Sequence, residues 1–108
     1  MSFLSFLFKR PAYLLKGPEF KSKYQASGKA GVLLDVRTPA EHKQGSIAKS
    51  KNINIMASDF LAQVRKLPKD KAYFVYCRSG HRSKAAVQQM KAEGLEAYSL
   101  SGGMGNWA

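Results

Sequence analysis

Two short apolar runs, GVLLDV at Gly31 to Val36 and AYFVY at Ala72 to Tyr76, constrain this chain more than any other feature. Each is nearly uninterrupted and each ends abruptly in polar residues. A strand with one wet face alternates polar and apolar. A uniform run of this length marks a strand buried on both faces, as in parallel sheets covered by helices.

Helix signals fall between and around the runs. Gly17-Pro18 opens a helix over 17–28, with Phe20 and Tyr24 on one face and Gly28 as its stop. Thr38-Pro39-Ala40-Glu41 is a capping box with proline at the first helical position, and Gly45 ends that short helix. Ser58 is expected to cap a helix with the face Phe60, Val64 and Leu67, closed by Pro68. Residues 83–93 form another, with Ala86, Val87 and Met90 inward and Gly94 as its stop. Asn52 to Met56 alternates as a short strand. Glu96 to Leu100 is the last strand, before the glycine-rich SGGMGNW. The pattern predicts an α/β fold: a small, largely parallel β-sheet flanked by helices.

The 108 residues allow one domain, assigned to 17–108, preceded by an apolar and basic arm at 1–16. The arm's apolar run (Phe3, Leu4, Phe6, Leu7, Phe8) is too short for a secretory core or a bilayer, so no transmembrane segment is expected. It is expected to pack on the domain or on a second subunit, which makes an oligomer through the arm an open reading. A weak membrane-surface anchor is the lesser one. Lysine and arginine exceed acidic residues by +11. The cations are scattered and no RNA-binding signature is present, so nucleic acid is not expected as a partner. Attraction of small anionic substrates is an equal use of such a surface.

The chain has a single cysteine, Cys77, which excludes an internal disulfide and any zinc site built from several thiolates. It is either a buried spectator or a reactive thiol, and a reactive thiol suits a reducing, cytoplasmic setting. Its position favours the reactive thiol. Ligand crevices in such sheets lie beyond the carboxyl ends of strands, where two polar clusters fall: Asp35-Val36-Arg37-Thr38 and Cys77-Arg78-Ser79-Gly80-His81-Arg82. A sharp turn from strand to helix gathers backbone amides around the sulfur, the helix start adds partial positive charge, and Arg78, Arg82 and His81 add more. Gly80 frees the loop backbone, and Ser79 and Ser83 are placed to donate to an anion above the sulfur. All of this favours thiolate over thiol.

CRSGHRS resembles the active-site loop of rhodanese domains: a cysteine, a small glycine-bearing loop and a closing arginine. LLDVRTPAEHKQGSI is similar to that family's first signature, and LSGGMGNW to its closing Gly-Gly-x-x-x-Trp segment. The resemblance runs from about residue 18 to Trp107. It implies sulfur transfer through a Cys77 persulfide, from a small anionic donor such as thiosulfate to an acceptor (cyanide in an assay, a thiol or a protein in the cell), with no metal and no organic cofactor. The amides of Arg78 through Ser83 form the cradle. Arg82 orders the loop or attracts the donor, and Arg78 and His81 stand at the mouth. Asp35 is expected to tie the loop to the neighbouring strand end and Arg37 to pair with Glu41, all three as structural support. A persulfide carrier docked on a protein partner is the alternative. Phosphatases and arsenate reductases of the same fold carry one more loop residue than the four between Cys77 and Arg82, which disfavours them. At 45–50 the chain reads Gly-Ser-Ile-Ala-Lys-Ser where the family has Gly-His-Ile-Pro-Gly-Ala, a change that bears on that turn's packing.

Overall fold

Alternate residues of the two apolar runs point to opposite faces of one sheet, and both faces are dry. The computed structural model describes residues 10–107. Its strands are β1 (Leu14–Leu15), β2 (Gly31–Asp35), β3 (Lys51–Asn52), β4 (Ala72–Tyr76) and β5 (Glu96–Leu100). Its α-helices are α1 (Gly17–Ser27), α2 (Pro39–Gln44), α3 (Phe60–Arg65) and α4 (His81–Ala92). The strands lie in the order β1-β5-β4-β2-β3, and every pairing is parallel.

On one face Leu33, Phe74 and Tyr76 pack with Leu15, Phe20, Ile47 and Leu100. Phe20, from α1, meets Phe74 edge-on at 5.5 Å and Trp107 at 6.1 Å between ring centroids. On the other face Leu34, Tyr73, Val75 and Cys77 pack with Phe60 and Val64 of α3 and with Ala86, Val87 and Met90 of α4. Complete burial of each large apolar side chain contributes about 1.5–3 kcal/mol. The β2–β4 register sets Asp35 opposite Tyr76. The polar segments that leave the two strands therefore start side by side, and this places the site.

Several boundaries differ from expectation. Leu14–Leu15, counted above with the arm, form the edge strand against β5, and Leu15 is buried. The apolar residues Phe3 to Phe8 lie outside the described residues. The strand expected over 52–56 is regular only at Lys51–Asn52; the Ile53 and Ile55 amides still donate to the Asp35 and Val36 carbonyls, and the chain then turns where the Asn54 side chain accepts from the Met56 amide. Ser58 does not cap α3: Asp59 holds the cap position, without a side-chain cap bond. The helix expected to begin at residue 83 begins at His81. The divergent 45–50 turn is held by Tyr76, whose hydroxyl accepts from the Ile47 amide at 3.0 Å and bonds Ser50 Oγ at 2.8 Å. No helix among the described residues is long and apolar enough to cross a membrane.

Candidate active site

Cys77 follows β4 directly, on the face covered by α4, and its residue surface is 0% exposed. Gly80 takes φ 100° and ψ −14°, a left-handed turn that suits glycine and sends the chain straight into α4. The turn brings two amides onto the sulfur: Gly80 N donates to Cys77 Sγ at 3.0 Å and Ser83 N at 3.3 Å. Ser83 is the third residue of α4, so the sulfur stands where the side-chain oxygen of a capping residue would stand. Gly80, the cap residue, brings no side chain to that place, and α4 starts at His81, two residues earlier than expected. Burial pushes the Cys77 thiol up. The hydrogen bond with the Ser83 side chain and those from the Ser83, Gly80 and Ser79 amides outweigh it, and the thiol lies below its ordinary range.

The structure draws the expected site residues into different roles. Ser83 does not face an anion above the sulfur. It is fully buried beneath it, with Oγ 3.6 Å from Cys77 Sγ and 2.8 Å from Ser99 Oγ on β5. Arg78, Ser79 and His81 are exposed. Arg78 lines a cavity of about 580 Å³ together with Arg37, Glu41, Gln44, Gly45, Met104 and Gly105, whereas Ser79 and His81 do not. Cys77 itself does not line the cavity; two residues that do are tied to it, Arg78 as its neighbour in the chain and Met104, whose amide donates to the Cys77 carbonyl at 2.8 Å.

Sequence reasoning missed how closely the last turn backs the loop. A Cβ built on Gly103 would stand 2.0 Å from the Arg78 carbonyl oxygen and 2.7 Å from Ser79 Cα. Only glycine lets the two backbones meet there. The adjacent pair Gly102-Gly103 in SGGMGNW was the available signal. Ser99, within an otherwise unremarkable strand, offered none.

The charged pairs differ from expectation as well. Arg37 does not pair with Glu41, and Asp35 does not reach the active-site loop. The Asp35 carboxylate accepts from Arg37 Nε and Nη2 at 3.0 Å and 2.8 Å and from the Arg37 amide at 2.9 Å, with His42 Nδ1 also 2.9 Å away. Arg37 Nη2 donates onward to the Gly45 carbonyl at 2.6 Å. Asn52 completes the frame by donating to the Asp35 and Arg37 carbonyls. It is Glu41 that ties the frame to the loop: Arg82 Nη1 donates to Oε1 at 2.7 Å and Nη2 to Oε2 at 3.0 Å. The Arg82 bonds, followed by that of the Thr38 amide, lower the Glu41 carboxyl to about 2. The Thr38–Glu41 capping box forms as the sequence predicts.

Asp35 is fully buried and the Arg37 side chain is only 8% exposed. Burial raises the Asp35 carboxyl, but the bonds from Arg37 and His42 overcome it and the net direction is down. A depressed carboxyl stabilises the fold above the unfolded-state value of about 3.9, and that contribution is lost as pH falls below it toward the folded value. Asp35→Asn leaves Arg37 buried without its counter-ion and is expected to cost about 3 kcal/mol at neutral pH. Denaturant midpoints measured against pH should show the gap from wild type closing below about pH 4. A gap constant down to pH 2 would show that charge pairing is not what the pair contributes.

Comparison with known proteins agrees with this geometry. The family model for the rhodanese-like domain matches residues 18–108. The chain is 35% identical to a sulfurtransferase of Allochromatium vinosum over 78 residues, covering 71% of each chain. Among solved structures, a rhodanese-like domain protein from Staphylococcus aureus aligns with a TM-score of 0.74 at 28% identity, over 88% of this chain and 90% of that one. A rhodanese-related protein from Thermoplasma volcanium aligns with a TM-score of 0.65 at 34% identity, over 86% and 87%. A family model spanning nearly all the described residues, and an all-parallel sheet that places a lone cysteine in a turn of amides, lead to one conclusion: this chain belongs to the rhodanese-like domain family.

Proposed function

We propose that this domain is a sulfurtransferase that carries sulfur as a Cys77 persulfide. The observation that carries the reading is the pair of amides, from Gly80 and Ser83, on the sulfur of the only cysteine in the chain. With thiosulfate as donor, the Cys77 thiolate attacks the outer sulfur and a new S–S bond forms. The donor's own S–S bond breaks, and sulfite leaves with the bonding electron pair. The persulfide anion keeps the charge that the thiolate had, and the loop amides stabilise it in both states. Cyanide, a thiol or a protein nucleophile then takes the terminal sulfur and returns the thiolate. Arg78, exposed on the wall of the cavity, attracts the dianionic donor. We assign the reaction to a reducing, cytoplasmic setting, because such a setting keeps a lone thiol free.

The +11 charge favours a second use, delivery of the persulfide sulfur to an acidic protein docked at the same mouth. It requires the same covalent step.

Sulfite release tests the proposal. Mixed with thiosulfate and no acceptor, the protein is expected to release one sulfite per chain in a burst and then stop. The burst rate should fall with salt, since fields are screened within about 10 Å at 0.1 M, and Arg78→Ala should flatten that slope while deletion of residues 1–9 should not. Absence of a burst would refute donation by thiosulfate. An equal flattening by the deletion would assign steering to the surface as a whole.

A further inference from the structure

We propose that Glu41 is a specificity-determining residue that withholds Arg82 from the cradle, so that anions at Cys77 are recognised by backbone amides and by Arg78 but not by the loop's closing arginine. The inference rests on the reading of Cys77 as the reacting atom. Arg82 closes the loop in the first turn of α4, the natural place for a cation that grips a bound oxyanion. Both of its terminal nitrogens are instead engaged by the two oxygens of one carboxylate, at 2.7 Å and 3.0 Å. A guanidinium fork matched to a carboxylate has its paired donors committed in the geometry it would use for phosphate or sulfate. Glu41 is fixed in turn by Thr38, whose amide and hydroxyl each lie 3.1 Å from Oε1. It is a clamp held from behind rather than a mobile surface carboxylate. Glu41 lines the cavity beside Arg37 and Arg78, and Arg82 does not.

The distribution of charge around the sulfur agrees. The bonds that lower the Cys77 thiol come from Ser83, Gly80 and Ser79, whereas Arg82 is close enough to feel the thiolate. A site in which the amides hold sulfur and the nearby guanidinium is neutralised suits a compact, soft sulfur anion. It disfavours a phosphoryl group seated in the cradle, which needs a charged fork as well as amides, whereas thiosulfate presents only its outer sulfur there and leaves its three oxygens at the mouth beside Arg78.

Glu41→Gln separates charge from structure, because glutamine still serves in a capping box. The probe is inorganic phosphate, measured by protection of Cys77 from alkylation with a neutral reagent. Glu41→Gln is expected to bind phosphate about tenfold more tightly than wild type, the effect of one freed charged donor group. Adding Arg82→Ala to it should return the affinity to the wild-type level. Arg82→Ala alone, which does not depend on the stability of the Glu41 variant, should change phosphate affinity less than about twofold. Unchanged affinity in Glu41→Gln would overturn the proposal. So would a gain that persists without Arg82, or a large loss in Arg82→Ala alone. None of these readouts requires sulfur transfer, so failure here is distinct from failure of the persulfide reading.

Discussion

Cys77→Ser is expected to reduce sulfur transfer to background while leaving the fold in place. The hydroxyl is smaller than the thiol and can still accept from the Gly80 and Ser83 amides, so the turn into α4 keeps its cap. Its chemistry does not survive. The hydroxyl stays protonated at neutral pH, and an oxygen at this position cannot form the persulfide on which both half-reactions depend. The cost in stability should be near the ordinary cost of a buried point change, about 1 kcal/mol. Thiocyanate formation from thiosulfate and cyanide, with thermal unfolding on the same sample, separates the two effects. Substantial turnover in a folded Cys77→Ser protein would remove Cys77 from the mechanism.

Gly103→Ala should be strongly damaging although it touches no reacting atom. Two independent costs coincide there. Gly103 holds φ at 87°, a region that costs a side-chain-bearing residue about 1–3 kcal/mol. The added methyl would also stand 2.0 Å from the Arg78 carbonyl oxygen and 2.4 Å from its carbon. These are backbone atoms, and no rotamer change relieves the contact. The loop must move, and with it the Ser79 and Gly80 amides that lower the Cys77 thiol. We expect a loss of about 3 kcal/mol or more. Turnover should fall about 100-fold, as for misplacement of a catalytic group by an ångström, and the midpoint of Cys77 alkylation against pH should move upward. Gly105→Ala is the control. A Cβ there meets nothing within 4 Å, so its stability should stay within about 0.5 kcal/mol of wild type. Equal stability of the two variants would show that the last turn does not brace the loop.

The contrast between these glycines also shows what the sequence could convey. The β2 and β4 runs were legible because burial on both faces leaves an unbroken apolar record. The Thr38–Glu41 cap was legible because both partners lie within one turn of a helix. Interactions that depend on tertiary placement were not. Arg37 and Glu41 have the i, i+4 spacing of a helical pair, but Arg37 precedes α2 and turns back to Asp35 at the buried strand end. The true partner of Glu41 is 41 residues away, brought to it by the β2–β4 pairing. His42 on the Asp35 carboxylate and Ser99 beneath Ser83 belong to the same class, each defined by a neighbour from another element. β1 escaped notice because two residues carry no period. Cys77 was legible for a different reason: strand end, glycine loop and helix start are consecutive in the chain, so the geometry that acidifies the thiol is local.

The most direct test of the account is the intact mass of the protein after exposure to thiosulfate and removal of excess donor. Sulfur transfer through a Cys77 persulfide predicts a gain equal to one sulfur atom, located on the peptide that contains Cys77, absent from Cys77→Ser and lost on addition of cyanide or a thiol. An unchanged mass, a gain that cyanide and thiols fail to remove, or a gain that persists in Cys77→Ser would contradict it.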